Sequence, residues 1–193
     1  MKEIELLFEL KESLSSTLDK LNSNQDLKKM GEKYTEDYYF YDPLREDLKP
    51  DESYSLKKCF RIRKQNDKTY LTYKIDHLSE KGIWQYSDEF ETEVNSFETS
   101  KKIVDLLGLK PLIQVKNRKH IFVKDSFEIT IEDVEGLGLF LEIECLNAQD
   151  NADVSTERKK IFEVLDSLKL RVSDELHIGK PELLLRKNTD RFI

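Results

Sequence analysis

The feature that most constrains this chain is a period-two alternation in which the residues between the apolar ones are charged. It is clearest from Phe127 to Glu144, where Glu128, Thr130 and Glu132 precede Gly136-Leu137-Gly138 and Phe140, Glu142 and Glu144 follow. Two strands joined by a glycine turn are predicted. A half-buried strand normally sends its charged face to water. Here the alternation recurs along most of the chain, and some strands carry only bases on the matching face. A closed sheet with a charged interior, and an apolar exterior covered by helices, would write this pattern, so an α+β fold is expected.

Taken in order, residues 2–9 form a first strand with Glu3, Glu5 and Leu7 on one face, and Leu10, Leu14, Leu18 and Leu21 mark an amphipathic helix. Tyr34–Tyr41 is an aromatic strand, and Pro43–Ser55 a polar loop. Asn66-Asp67 turns a hairpin that presents Arg61 and Arg63 on one strand and Tyr70, Thr72 and Lys74 on the other. Ile75–Gly82 reads as a second loop. Ile83–Val94 aligns Glu89, Glu91 and Glu93, and Ser96 caps a helix that ends at Gly108. Beyond Pro111, the residues Gln114, Lys116, Arg118 and His120 form a basic face. A polar linker over Asn147–Val154 leads to a helix marked by Ile161, Val164, Leu165 and Leu168, and a last short helix begins near Pro181. The whole of 1–193 reads as a single domain, its helical C-terminal segment of about 153–187 packing on the barrel.

Charged residues make up 37% of the 193 and the net charge is −7, a balance that speaks against a general nucleic-acid or anionic-membrane binder. No long apolar run or signal pattern is present, so a cytoplasmic protein is expected. Cys59 and Cys145 have opposite parity, which argues against a disulfide between them.

The candidate inward set comprises Glu3, Glu5, Glu89, Glu91, Glu93, Glu132, Glu142 and Glu144 against Arg61, Arg63, Lys74, Lys116 and Arg118. Enclosed charges are tolerated only when paired, and the acids are in excess. Divalent cations would restore the balance. Mg²⁺ or Mn²⁺ takes carboxylate and phosphate oxygens, while guanidinium forks grip phosphates, so the expected ligand is a metal-chelated triphosphate or longer polyphosphate.

In the order Glu3-Ile4-Glu5, Phe60-Arg61-Ile62-Arg63-Lys64, Lys74, the acidic strand Glu89–Glu93, Lys116 and Arg118, then Glu135-Gly136-Leu137-Gly138 with Glu142 and Glu144, the chain resembles the CYTH or triphosphate tunnel metalloenzyme family, in its class IV adenylyl cyclase branch. The resemblance runs from Glu3 to about Leu185. It implies a closed eight-stranded antiparallel tunnel, with metal on Glu3, Glu5, Glu132, Glu142 and Glu144, and triphosphate on Arg61, Arg63, Lys74, Lys116 and Arg118. Lys74, Lys116 and Arg118 would act in catalysis, and Glu89, Glu91 and Glu93 would form a supporting acidic strand.

Three positions depart from the family pattern: Leu7 stands at the signature lysine, Glu132 at an aspartate, and Ser87 at an arginine that commonly opens the acidic strand. The expected activity is conversion of ATP to cyclic AMP and pyrophosphate. The alternatives are a thiamine- or inorganic triphosphatase and a non-catalytic triphosphate-binding module, the last motivated by Leu7. If the missing cation limits catalysis, Leu7→Lys should raise it. Expected partners are a nucleoside or other organic triphosphate, or inorganic triphosphate, with no nucleic acid and no membrane; a homodimer is left open.

Overall fold

A computed structural model describes residues 2–146 and 148–189. Asn147, the first residue of the expected linker, and the two extreme ends of the 1–193 domain lie outside the described residues. Among the described residues the chain forms one antiparallel sheet of ten strands and four α-helices. The strands are β1 (Lys2–Glu3), β2 (Glu5–Leu10), β3 (Lys28–Tyr41), β4 (Lys58–Gln65), β5 (Lys68–Leu78), β6 (Trp84–Val94), β7 (Lys110–Lys124), β8 (Phe127–Val134), β9 (Gly138–Cys145) and β10 (Val172–Leu176). The helices are α1 (Leu14–Ser23), α2 (Phe97–Leu106), α3 (Val154–Leu168) and α4 (Lys180–Thr189). None is long and apolar enough to cross a membrane.

The sheet order is β1-β6-β5-β4-β3-β7-β8-β9-β2-β10. Its closure depends on the N-terminal stretch, which is interrupted at Ile4. Before the break Glu3 lies opposite Ser87 on β6, and after it Glu5 lies opposite Glu144 on β9. The Cys145 amide donates to the Ile4 carbonyl at 2.9 Å. One segment thus joins both sides of the sheet, pairing with β6 at Ser87 and Asp88 and with β9 beyond Ile4, which curls the sheet around its lumen.

The sheet has ten strands where eight are expected. The first strand counts twice because of its break, and β10 adds to β2 from within the segment expected to be helical. Strand β5 also runs to Leu78, so the first half of the expected loop at Ile75–Gly82 is sheet. It pairs with β6 along its whole length, and a register shift between His77 and Leu78 admits the irregular sequence there.

The outer face carries the main core. Ile4, Leu6, Phe8, Ile129, Ile131, Leu141 and Ile143 are buried there against Leu21 of α1 and Ile161, Val164 and Leu168 of α3. Ser13, Ser96 and Asp153 cap α1, α2 and α3 by accepting from the amides of Ser16, Thr99 and Thr156, which satisfies first-turn donors. Gly136 and Gly138 make the turn between β8 and β9 at φ of 80° and 121°, a region that favours glycine.

Inside, one end of the lumen is apolar. Leu7, Tyr39, Val115, Val134 and Phe140 pack together with Leu183 and Leu184 of α4 across them. Glu182 fastens this helix. It is buried, and it accepts from the amides of Leu56, at 2.8 Å, and Gly179 and from the Ser55 hydroxyl. Arg186 Nε and Lys187 Nζ add bonds to the carbonyls of Ser53 and Gly136. Glu182→Ala would strand the buried Leu56 amide, so a loss of about 1–3 kcal/mol in urea unfolding is expected. Glu182→Gln, which keeps an acceptor, should lose less.

Candidate functional site

The lumen forms a cavity of about 710 Å³ whose lining includes Glu3, Glu5, Glu142 and Glu144 on one side and Arg61, Arg63 and Lys119 on the other. Strand alternation explains who lines it. Odd positions on β4 and β6, and even positions on β5, β8 and β9, turn inward, and the hairpin registers keep those parities facing one another.

Glu3, Glu5 and Glu144 each offer a carboxylate oxygen within 4.8 Å of the others. Lys74 Nζ bonds Glu5 Oε1 at 2.9 Å and pairs with Glu3 Oε2 at 2.5 Å. Burial and the neighbouring Glu3 push Glu5 up to about 7. Burial, with Glu3 and Glu5 close by, pushes Glu144 up to about 9. Three crowded carboxylates around a single ammonium form an all-oxygen donor set suited to a hard divalent cation.

Glu132 and Glu142 are neutralised differently. Lys180, the first residue of α4, reaches Glu132 Oε1 at 2.9 Å and Glu142 Oε2 at 2.5 Å. Lys119 Nζ bonds Glu132 at 2.8 Å, and Asn117 Nδ2 donates to its other oxygen at 2.7 Å. Burial alone would raise Glu142, but the Lys180 and Lys119 ammoniums outweigh it and hold that carboxyl well below the usual range. Glu132 and Glu142 are therefore ion-pair partners of the two lysines, while Glu144 joins Glu3 and Glu5.

On the opposite wall, Arg63 makes a two-pronged contact with Asp37 at 2.7 and 2.8 Å. Arg61 lies 3.6 Å from Asp37, 3.6 Å from Glu89 and 3.4 Å from Glu91, and its buried Nε has no hydrogen-bond partner among the described residues. The Arg63 and Arg61 charges overcome burial and keep Asp37 ionised well below its ordinary value. Glu89 and Glu91 line the cavity, whereas Glu93 sits at the exposed end of β6 on Lys68 at 2.8 Å.

The β7 expectation needs correction. Lys116 and Arg118 do not enter the lumen. Lys116 lies opposite Glu36 and Arg118 is exposed between Tyr34 and Asp133, while Val115, Asn117, Lys119 and Ile121 line the cavity. His120 shares the outward parity, buried with Nδ1 3.3 Å from Glu32. The signal that places this strand is the turn at Asp125-Ser126, which pairs Lys124 with Phe127 and hence Lys119 with Glu132. Asp37 falls on the inward face of the aromatic strand beside Tyr39. Lys180 leaves no periodic trace, because it enters the lumen from the end of the tunnel. Cys59 lines the cavity and Cys145 lies in the outer core, both as free thiols.

Comparison with known proteins agrees with this architecture. The CYTH domain family matches residues 1–177. A Methanocaldococcus jannaschii protein named as a candidate adenylate cyclase is 32% identical over 177 residues, covering 87% of this chain and 93% of that protein. The PH1819 protein of Pyrococcus horikoshii superposes with a TM-score of 0.77 at 26% identity, over 96% of this chain and 99% of its own. A Vibrio parahaemolyticus structure, also named as a candidate adenylate cyclase, shares the fold at a TM-score of 0.73 and 17% identity, over 94% and 97% of the two chains. The continuous match over the strands that build the lumen makes this chain a member of the CYTH domain family.

Proposed function

We propose that the tunnel binds a metal-chelated triphosphate and acts on it as an adenylyl cyclase. The observation that carries this reading is the division of the lumen between the carboxylate cluster of Glu3, Glu5 and Glu144 and the bases Arg61, Arg63, Lys119 and Lys180, with Lys74 between them. The relative named as a candidate adenylate cyclase supports cyclase chemistry over simple hydrolysis.

Glu3, Glu5 and Glu144 would hold Mg²⁺ or Mn²⁺. When bound, such an ion lowers the pKa of a coordinated hydroxyl and screens charge on phosphate oxygens. The guanidiniums of Arg61 and Arg63 would exchange their carboxylate partners for phosphate oxygens, the stronger bidentate acceptors. Lys119 and Lys180 would neutralise charge growing on the departing pyrophosphate. In the reaction the ribose O3′ forms a bond to the α-phosphorus, the bond from that phosphorus to the bridging oxygen of the β-phosphate breaks, and the hydroxyl proton leaves to solvent. Binding and orientation supply most of what this chain contributes.

Leu7 takes on a different meaning in this light. It is 3% exposed within the apolar end of the lumen, and Lys180 and Lys119 already stand on Glu132 and Glu142. Leu7→Lys should therefore lower stability by about 2–5 kcal/mol through a buried unpaired charge and raise turnover little. Urea unfolding and initial rates with ATP measure both. Lys180→Met, by contrast, should weaken triphosphate binding about 100-fold while leaving the Glu182 contacts in place, measurable by calorimetry.

The raised carboxylates also predict a pH dependence. Glu5 at about 7 and Glu144 at about 9 lie above the ordinary value of 4.5, so between those limits the folded protein binds more protons than the unfolded chain. The stability of the metal-free protein should then fall as pH rises from about 4.5 to about 9. Mg²⁺ competes with those protons and should bind more tightly over the same interval. Melting curves with and without Mg²⁺ should diverge as pH rises; a constant separation would contradict this assignment.

The function itself is tested by chromatography of products after incubation with ATP, thiamine triphosphate or inorganic triphosphate and Mg²⁺ or Mn²⁺. Cyclic AMP with pyrophosphate is the expected result. Orthophosphate release would instead make the protein a triphosphatase, and metal-dependent binding with no product would make it a binding module.

A further inference from the structure

We infer that the tunnel carries, beside its phosphate-binding bases, a subsite for an amino-bearing heteroaromatic ring, formed by the Trp84 indole and the Asp76 carboxylate. This inference rests on the triphosphate reading and deepens it, because it names the residues that would select the organic group of the triphosphate over the bare inorganic chain.

The first observation concerns how Trp84 comes to be inside. On β6 the inward residues are odd-numbered, from Ser87 to Glu91, so an even-numbered residue should face out. The register shift that follows the His77–Tyr86 pair sets Leu78 opposite Trp84 and not Gln85. The indole consequently lines the cavity. Irregularities of this kind re-aim a side chain at the cost of ladder hydrogen bonds, and they concentrate beside functional sites.

The second observation is how the ring is held. Trp84 Nε1 donates to Ser87 Oγ at 2.9 Å, and Ser87 Oγ donates to Asp76 Oδ1 at 2.7 Å. Ser87 is fully buried. The described residues make no hydrogen bond to Asp76 Oδ2, and Asp76 lines the same cavity. Serine at this position thus orders an aromatic face and a carboxylate together, where a longer cationic side chain would neutralise the carboxylate and fill the space.

The third observation is distance. Lys74 Nζ stands 5.3 Å from the Trp84 ring centroid and 2.9 Å from Glu5 Oε1. The ring therefore adjoins the metal-binding carboxylates and the phosphate-binding bases. Leu56 and Leu78 supply apolar surface to the same cavity, Leu78 being 47% exposed. A flat ring can stack on such a surface, and an exocyclic amino group can donate to Asp76. Inorganic triphosphate offers neither.

Trp84 is the chain's single tryptophan, so its emission reports on this subsite alone. The experiment titrates the wild-type protein with ATP, inosine triphosphate and tripolyphosphate in the presence of Mg²⁺, following fluorescence and heat together. ATP should bind about tenfold or more tighter than tripolyphosphate and change the emission more strongly. Inosine triphosphate, which has a carbonyl in place of the amino group, should fall between them.

Trp84→Leu should bring the affinity for ATP down to that for tripolyphosphate and leave the latter unchanged. Trp84→Phe, which keeps a ring, should retain most of the difference, and Asp76→Asn should weaken ATP more than inosine triphosphate. Equal binding of ATP and tripolyphosphate, or equal loss of both in Trp84→Leu, would overturn this inference alone. Failure of all three ligands to bind would overturn the triphosphate reading and this inference with it.

Discussion

Everything in this protein depends on enclosing charge without leaving it unpaired. A carboxylate or ammonium taken from water costs several kcal/mol even after the protein relaxes, and only close partners recover that cost. The lumen meets the requirement in three separate places. Glu132 and Glu142 share Lys119 and Lys180, Asp37 occupies Arg63 and approaches Arg61, and Lys74 lies between Glu3 and Glu5. Glu144, whose pKa is pushed up to about 9, joins Glu3 and Glu5 around the one ammonium of Lys74, a cluster with more acids than bases. The place where internal compensation is weakest is the place best suited to a divalent cation.

That arrangement depends in turn on closure. Because the N-terminal stretch pairs with β6 before Ile4 and with β9 after it, Glu3 and Glu5 face the lumen from the seam itself. The backbone that completes the sheet is thus also the backbone that positions two of the three clustered carboxylates. Apolar residues alternate with them outward, and Ile4, Leu6 and Phe8 join the core beneath α1 and α3. Fold stability and site geometry cannot be separated in this strand, since a one-residue slip would exchange its two faces.

Helix α4 performs the corresponding service at the end of the tunnel. Its leucines seal the apolar region around Leu7 and Phe140, its Glu182 anchors the segment that carries Leu56, and its first residue sends an ammonium into the acidic interior. Leu7 packs within this apolar region, while Lys180 brings an ammonium to Glu132 and Glu142 from a distant part of the chain.

The sequence by itself determined the sheet, most strand positions, the Ser96 cap of α2, and the inward faces of β4, β5, β6, β8 and β9. These follow from local alternation, capping residues and short turns, all of which act over a few neighbours. Of the five acids offered as metal ligands, Glu3, Glu5, Glu132, Glu142 and Glu144, the tertiary structure brings Glu3, Glu5 and Glu144 within 4.8 Å of one another. Tertiary structure showed what polarity alone does not, that Lys119 and not Lys116 or Arg118 turns inward: both faces of β7 carry bases, and the register of the hairpin turning at Asp125-Ser126 chooses between them. Tertiary structure alone decided the entry of Lys180, the inward turn of Trp84 at a register shift, and the closing of the sheet at Ile4. The entry of Lys180 and the seam at Ile4 depend on contacts between segments far apart in sequence, whereas the facings of Lys119 and Trp84 follow from the registers of local hairpins, which periodicity within a single strand does not fix.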